Sequence, residues 1–129
     1  MPDLFIFANM IHLNHLNLVV NNVKATTEFF ETYFNFKCTF IKGDHAITIL
    51  KGEDNFTLVL MPSADTDLAY PKAFHIGFMF TTPGEVNALH EKLKSGAMEV
   101  PEPKKIRDSY GFYFHFDALM IEVGHYLQE

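Results

Sequence analysis

The stretches His15-Leu16-Asn17-Leu18-Val19-Val20 and His75-Ile76-Gly77-Phe78-Met79-Phe80 stand at a constant offset of 60, and their reading decides the fold. Each opens on histidine and continues as a short apolar run rich in strand formers. The same offset sets Asn21-Asn22 over Thr81-Thr82 and Glu31 over Glu91, through a helical periodicity in both copies. One structural unit is written twice.

Both helices carry their own punctuation. In the first copy Asn22 is an N-cap, and Ala25, Phe29 and Tyr33 recur at helical spacing, flanked by Phe30 and Phe34. Asn35 stands where a helix ends in a left-handed residue. In the second copy Thr82-Pro83-Gly84-Glu85 is a capping box with proline at the first helical position. Val86, Leu89 and Leu93 form the apolar stripe, and Gly96 is expected to close the helix.

Three strand-like segments follow each helix. In the first copy they are residues 37–42, 45–51 and 55–61, with turns at Gly43-Asp44 and Gly52-Glu53-Asp54-Asn55. In the second they are residues 97–100, 109–116 and 119–125, with a proline-bearing loop at 101–107. Residues 62–73 read as a linker. The expectation is one α+β domain over residues 1–129, made of two tandem βαβββ modules at about 12–61 and 74–125. Neither module buries both sheet faces alone, so the two should pack into a curved mixed sheet around a cavity, helices outside.

Composition narrows the function classes. With 48% apolar and 20% charged residues, the chain supports a packed core and is not a disordered segment. Fourteen phenylalanines and no tryptophan leave room for some phenylalanine to line a pocket rather than fill the core. The net charge is −6, and the densest basic cluster, Lys104-Lys105 with Arg107, is too small a footprint for nucleic acid and reads as a solvated loop. A single cysteine, Cys38, excludes an internal disulfide. The start, Met1 to Ala8, has an apolar run but no basic n-region, and no stretch reaches membrane length, which leads to an expectation of a cytoplasmic protein.

Several short motifs, in this order, carry a resemblance. Leu13-Asn14-His15-Leu16 opens the first strand, and Val20-Asn21-Asn22-Val23 leads to Phe29-Phe30 and Phe34-Asn35-Phe36. Phe74-His75-Ile76-Gly77-Phe78, Phe112-Tyr113-Phe114 and Ile121-Glu122-Val123 complete the series. Over roughly residues 12–125 the sequence resembles the vicinal oxygen chelate superfamily, which includes glyoxalase I, extradiol dioxygenases, fosfomycin-resistance proteins and bleomycin-binding proteins. The resemblance implies metal ligands at His15, His75 and Glu122, a metal cavity between the modules, and a homodimer, since modules of this family often complete their barrels across a subunit interface. Two imidazoles and one carboxylate leave positions open for water or substrate and suit a divalent Fe, Mn, Zn or Ni ion. Against this stands the plain reading of a histidine that begins a strand, as a surface or core residue. Two histidines in register, and Glu122 inside the apolar run Ala118-Leu119-Met120-Ile121, argue for a site, because a buried carboxylate is costly unless paired or coordinated.

Departures from the family narrow the activity. Val59 falls opposite Glu122 in the other copy, where glyoxalase I and the methylmalonyl-CoA epimerases carry a fourth ligand, so classical glyoxalase I chemistry is not expected. The arginine that fosfomycin-resistance transferases carry beyond the last glutamate is missing from Val123–Glu129. Phe116-Asp117-Ala118-Leu119 makes a tighter hairpin than the family's Asp-Pro-Asp-Gly turn.

Strand alternation then assigns neighbours. Asn17 shares the face of His15, and Gly77 lies beside His75 with room for a ligand. Tyr113 is an acid–base candidate by family precedent, and His115 joins it by parity, although a solvated strand end is the stronger account of His115. His12, His45, His90 and His125 fall outside the site. Three functions remain open: a metal-dependent enzyme acting on a small molecule with vicinal oxygens (dioxygenase, lyase or transferase type), a metal-free protein sequestering an aromatic or antibiotic-like ligand, as bleomycin-resistance relatives do, and a structural or regulatory module with a vestigial site.

Overall fold

The computed structural model describes residues 11–65 and 67–127; the apolar start read above, Met1 to Ala8, lies outside them. The element order is β1 (His15–Val20), α1 (Val23–Tyr33), β2 (Lys37–Lys42), β3 (Ile47–Lys51), a 3₁₀ turn (Glu53–Asn55) and β4 (Thr57–Pro62), followed by β5 (Ile76–Met79), α2 (Pro83–Ser95), β6 (Lys104–Ile106), β7 (Ser109–Phe116) and β8 (Leu119–Tyr126). The strands form two four-stranded mixed sheets with matching orders, β1-β4-β3-β2 and β5-β8-β7-β6. In each, the first strand runs parallel to the last, while the other pairs are antiparallel. The fold is α+β with two βαβββ units, as the repeat implied.

Register fixes which residues are equivalent. Asn17 pairs with Val59 across β1 and β4, and Gly77 pairs with Glu122 across β5 and β8. Ile49 faces Val59 from β3, as Tyr113 faces Glu122 from β7. Val59 is therefore the counterpart of Glu122, by hydrogen-bond register as well as by alignment.

The helix ends follow local chemistry. Asn22 Oδ1 accepts from the Ala25 N–H at 2.9 Å, and Asn35 takes the left-handed φ of 58°. Thr82 and Glu85 form the full capping box, with Pro83 in the first turn. Gly96 closes α2 as expected, but it is not the left-handed residue of that ending. Gly96 is the cap residue at φ −85°, and the left-handed residue is Ala97 at φ 65°. Met98 N–H donates to the Leu93 carbonyl and Ala97 N–H to that of Lys94, the two bonds of a Schellman ending. Glycine is needed at 96 for another reason: a Cβ there would lie 1.9 Å from the Tyr33 hydroxyl.

That ending displaces a strand. Residues 97–100 are not extended pairing partners; β6 forms instead at Lys104–Ile106, inside the segment read as loop. Pro101 and Pro103 lack the N–H that a ladder needs, so pairing begins only beyond them.

The helix-covered faces of the two sheets meet in one core. Leu18, Leu58, Leu60, Phe112, Ile121 and Val123 come from strands, and Val23, Phe30, Val86 and Leu93 from helices. Aromatic contacts tie the modules together: Phe29 of α1 stacks on Phe116 at 4.1 Å, and Phe34 stacks on Phe78 at 4.2 Å. Two buried threonines of the first module escaped the periodicity. Thr27 Oγ1 lies 2.7 Å from Thr48 Oγ1 and also donates to the Val23 carbonyl, so neither hydroxyl is orphaned. The opposite faces carry His15, Asn17 and Val19 in one sheet and Tyr113, His115 and Glu122 in the other, exposed or half-buried. Among the described residues no helix is long and apolar enough to cross a membrane.

Phe29 bridges the modules, so its truncation should lower global stability rather than loosen one end. Phe29→Ala is expected to cost about 3–5 kcal/mol in chemical denaturation, in a single transition. A loss below about 1 kcal/mol, or a transition split in two, would show that the modules hold together without it.

Candidate metal centre

His75 sits at the entry to β5 and Glu122 in the middle of β8, and the parallel pairing of those strands brings their side chains together. His75 Nε2 lies 3.3 Å from Glu122 Oε1. His75 Nδ1 lies 3.0 Å from the Ala73 carbonyl oxygen. A carbonyl only accepts, so Nδ1 carries the proton and Nε2 is the nitrogen turned to Glu122. In the neutral ring two electron-pair donors then face each other, and they require a proton or a cation between them. Donors bonded to one metal at about 2.0–2.2 Å, at a tetrahedral or octahedral angle, stand roughly 3.0–3.5 Å apart. The pair fits two adjacent positions of a divalent ion, with Ala73 as the outer partner that orients the imidazole.

Gly77 explains the opening beside the pair. It pairs directly with Glu122, and a Cβ at that position would lie 3.4 Å from Glu122 Oε1. Any larger side chain would narrow the approach to the carboxylate. Tyr113 faces Glu122 from β7, and its ring meets the His75 ring edge-on at 5.4 Å. His75, Gly77, Glu122 and Tyr113 are thus brought together by one sheet.

His15 and Asn17 are not part of this cluster within a single chain. His15 Nδ1 is held 2.8 Å from Asn14 Oδ1, which leaves Nε2 free, in parallel with His75. His15 instead lines a separate hollow with His12, Asn14, Asp54 and Thr57. Among the described residues no three His, Cys, Asp or Glu side chains converge on a metal position. The expectation that the two histidines face each other across one intrachain cavity is therefore corrected. The modules pack through their helix sides, and that turns the two histidine faces apart. Asn17 is exposed on β1, its amide 3.9 Å from Met61 Sδ.

His115 is exposed at the end of β7, opposite Met120. His90 is 3% exposed on α2, against Phe112, with Nε2 3.2 Å from Glu102 Oε2. His125 turns to the core side, with Nδ1 3.0 Å from the Phe80 carbonyl. Two spaces flank the His75–Glu122 pair. A cleft of about 550 Å³ runs between the modules and is lined by Phe34, Phe36, Phe56, Phe74 and Phe78, with His75 and Gly77 on one wall. A more polar hollow of about 380 Å³ holds Tyr113 and Glu122 together with Arg107, Asp108, Ser109 and Tyr126. Sequence reading missed Arg107, because the hairpin that carries it was taken as loop.

A family model described as Glyoxalase/Bleomycin resistance protein/Dioxygenase superfamily matches residues 12–119. The chain belongs to that superfamily. It is similar to a structure of a possible glyoxalase from Bacillus cereus, at 33% identity and a TM-score of 0.79, over 89% of this chain and 99% of that one. It shares its fold with the genomically encoded fosfomycin resistance protein FosX from Listeria monocytogenes, at 20% identity and a TM-score of 0.71, over 90% of this chain and 93% of that one. A Glu→Gln variant of FosX, crystallised with Mn(II) and 1S,2S-dihydroxypropylphosphonic acid, aligns at 23% identity and a TM-score of 0.70, over 89% of this chain and 93% of that one. No curated protein matches the chain.

Within this superfamily fold the ionisation of Tyr113 is altered by its surroundings. Burial and then the Glu122 carboxylate push its hydroxyl above the usual tyrosine range, and the Arg107 charge opposes them in part. A raised pKa keeps the phenol protonated to higher pH, so at neutral pH Tyr113 is a hydrogen-bond donor and not a phenolate. Phenolate absorbance should show late titration by Tyr70 and Tyr113, and the Tyr113 share of it should disappear in Tyr113→Phe. Glu122→Gln removes a negative charge and should bring that titration to lower pH. An upward move on the same substitution contradicts the assignment.

Proposed function

We propose that the chain is a divalent-metal-dependent enzyme acting on a small molecule with vicinal oxygens, and that it works as a homodimer. His75 and Glu122 of one copy and His15 of the other would hold the ion. The observation that carries this reading is the His75 Nε2–Glu122 Oε1 approach of 3.3 Å on an open sheet face, with the far nitrogen of the imidazole anchored by a carbonyl. The matching anchorage of His15 by Asn14 supports its role as the third donor. A homodimer would bring that donor to the pair, since a single chain holds the two apart. The Mn(II) bound by FosX is consistent with the donor set here, two imidazoles and a carboxylate.

The bound ion, Fe, Mn, Zn or Ni, would supply Lewis acidity to a chelated oxygen pair. Gly77 leaves space for that pair beside Glu122. The Tyr113 hydroxyl, kept protonated, donates to an oxygen that gains negative charge as the reaction proceeds. His115, exposed at its strand end, takes no part in this account. Val59, the counterpart of Glu122, offers no carboxylate to move a proton between adjacent carbons, so the activity is dioxygenase, lyase or transferase in type and not the glyoxalase I isomerisation.

The phenylalanine-lined cleft favours one second reading, a metal-free protein that sequesters an aromatic or antibiotic-like ligand. Calorimetric titration with Mn(II) and Zn(II) separates the two. The enzyme reading expects stoichiometric binding by the wild-type protein. It also expects Glu122→Gln to lose more than the ~10–100-fold that an outer partner costs, with no drop in thermal midpoint. Equal affinity in the two proteins removes Glu122 from the site.

A further inference from the structure

Nine of the ten basic residues are lysines, and the one arginine, Arg107, lies in the wall of the polar hollow that also holds Glu122 and Tyr113. It reaches that place because β6 and β7 join through the two-residue turn Arg107-Asp108, closed by the Ile106–Ser109 pair. Arg107 adopts φ 53° there, a left-handed conformation that costs a non-glycine residue on the order of 1 kcal/mol. Among the described residues its guanidinium makes no ion pair and no side-chain hydrogen bond, not even with Asp108 beside it. Its charge is nevertheless felt at the Tyr113 hydroxyl. A planar fork that the described residues leave unengaged, beside a carboxylate that would be committed to a cation, is suited to a two-pronged acceptor.

We propose that Arg107 is a specificity residue that receives an oxyanion, carboxylate or phosphonate, on the molecule whose vicinal oxygens face His75 and Glu122. This rests on the metal-dependent reading above. The ligand is then a small acid with one end against Arg107, Ser109 and Tyr126 and its paired oxygens at the metal position. The missing arginine after Glu122 no longer argues against an anionic ligand, because the β6–β7 turn delivers one from another element.

The test uses Mn(II)-loaded full-length protein titrated with three matched probes: glycerate, a dihydroxypropylphosphonate and neutral propanediol. The wild type should bind at least one charged probe more tightly than propanediol, and the stronger of the two identifies the oxyanion. Arg107→Gln should weaken that binding about 10- to 100-fold, leave propanediol unchanged and retain Mn(II) affinity. Arg107→Lys should recover part of the loss, since it restores charge without the fork. The inference is overturned if charged probes bind Arg107→Gln as they bind the wild type, if propanediol weakens equally, or if no probe binds Mn(II)-loaded wild type. Those outcomes leave the metal site standing. Absence of Mn(II) binding by the wild type overturns both.

Discussion

Each half of the chain lays its first strand parallel to its last, and the site depends on that pairing. In the second half it sets Gly77 against Glu122 and carries His75, two residues earlier, to within 3.3 Å of the carboxylate. A parallel ladder between elements more than forty residues apart needs a crossover, and α2 with the β6–β7 hairpin supplies it. Side chains alternate along a strand, so one register decides two things together. It sends Ile121 and Val123 to the core and Glu122 to the open face. A slip of one residue would bury the carboxylate under α2 and expose two β-branched residues.

The same register in the first half presents Val59 where Glu122 would stand, and Ile49 where Tyr113 would stand. The two open faces are therefore related in geometry and different in chemistry, one with aliphatic Val59 and Ile49 at these positions, the other with the donor pair. The core explains why they do not meet within a chain. Phe29 on Phe116 and Phe34 on Phe78 join the helix sides, and rings of that size bury a large apolar area. Once the helix sides are committed to each other, the histidine faces look outward. On the proposed reading, a second copy would supply the donor that the His75–Glu122 pair lacks.

Much of this was legible in the sequence, for physical reasons that can be named. The pair of histidine-led strands, the Asn22 cap and the Thr82–Glu85 box are local signals, and local signals survive translation into structure. The equivalence of Val59 and Glu122 followed from the repeat. What failed was non-local. The position of β6 depended on where two prolines release the backbone, and the left-handed turn at Ala97 had no glycine or asparagine to announce it. Thr27 and Thr48 are buried as a bonded pair, which neither residue signals alone. Arg107 looked like part of a solvated basic cluster until its hairpin was placed beside Glu122. The relative orientation of the modules, and with it the separation of His15 from His75, is set by phenylalanine packing across the modules that no single stretch encodes.

The central claim is a site shared between two copies, and variant mixing tests it most directly. His15→Ala and Glu122→Gln each damage every site when alone in a dimer. Co-expressed, they form mixed dimers in which one site combines the intact His15 of one chain with the intact His75 and Glu122 of the other. The account predicts weak metal binding by each variant alone and recovery of tight Mn(II) binding at about a quarter of wild-type sites in a random mixture. A mixture that binds no more than the average of its two components would contradict a shared site.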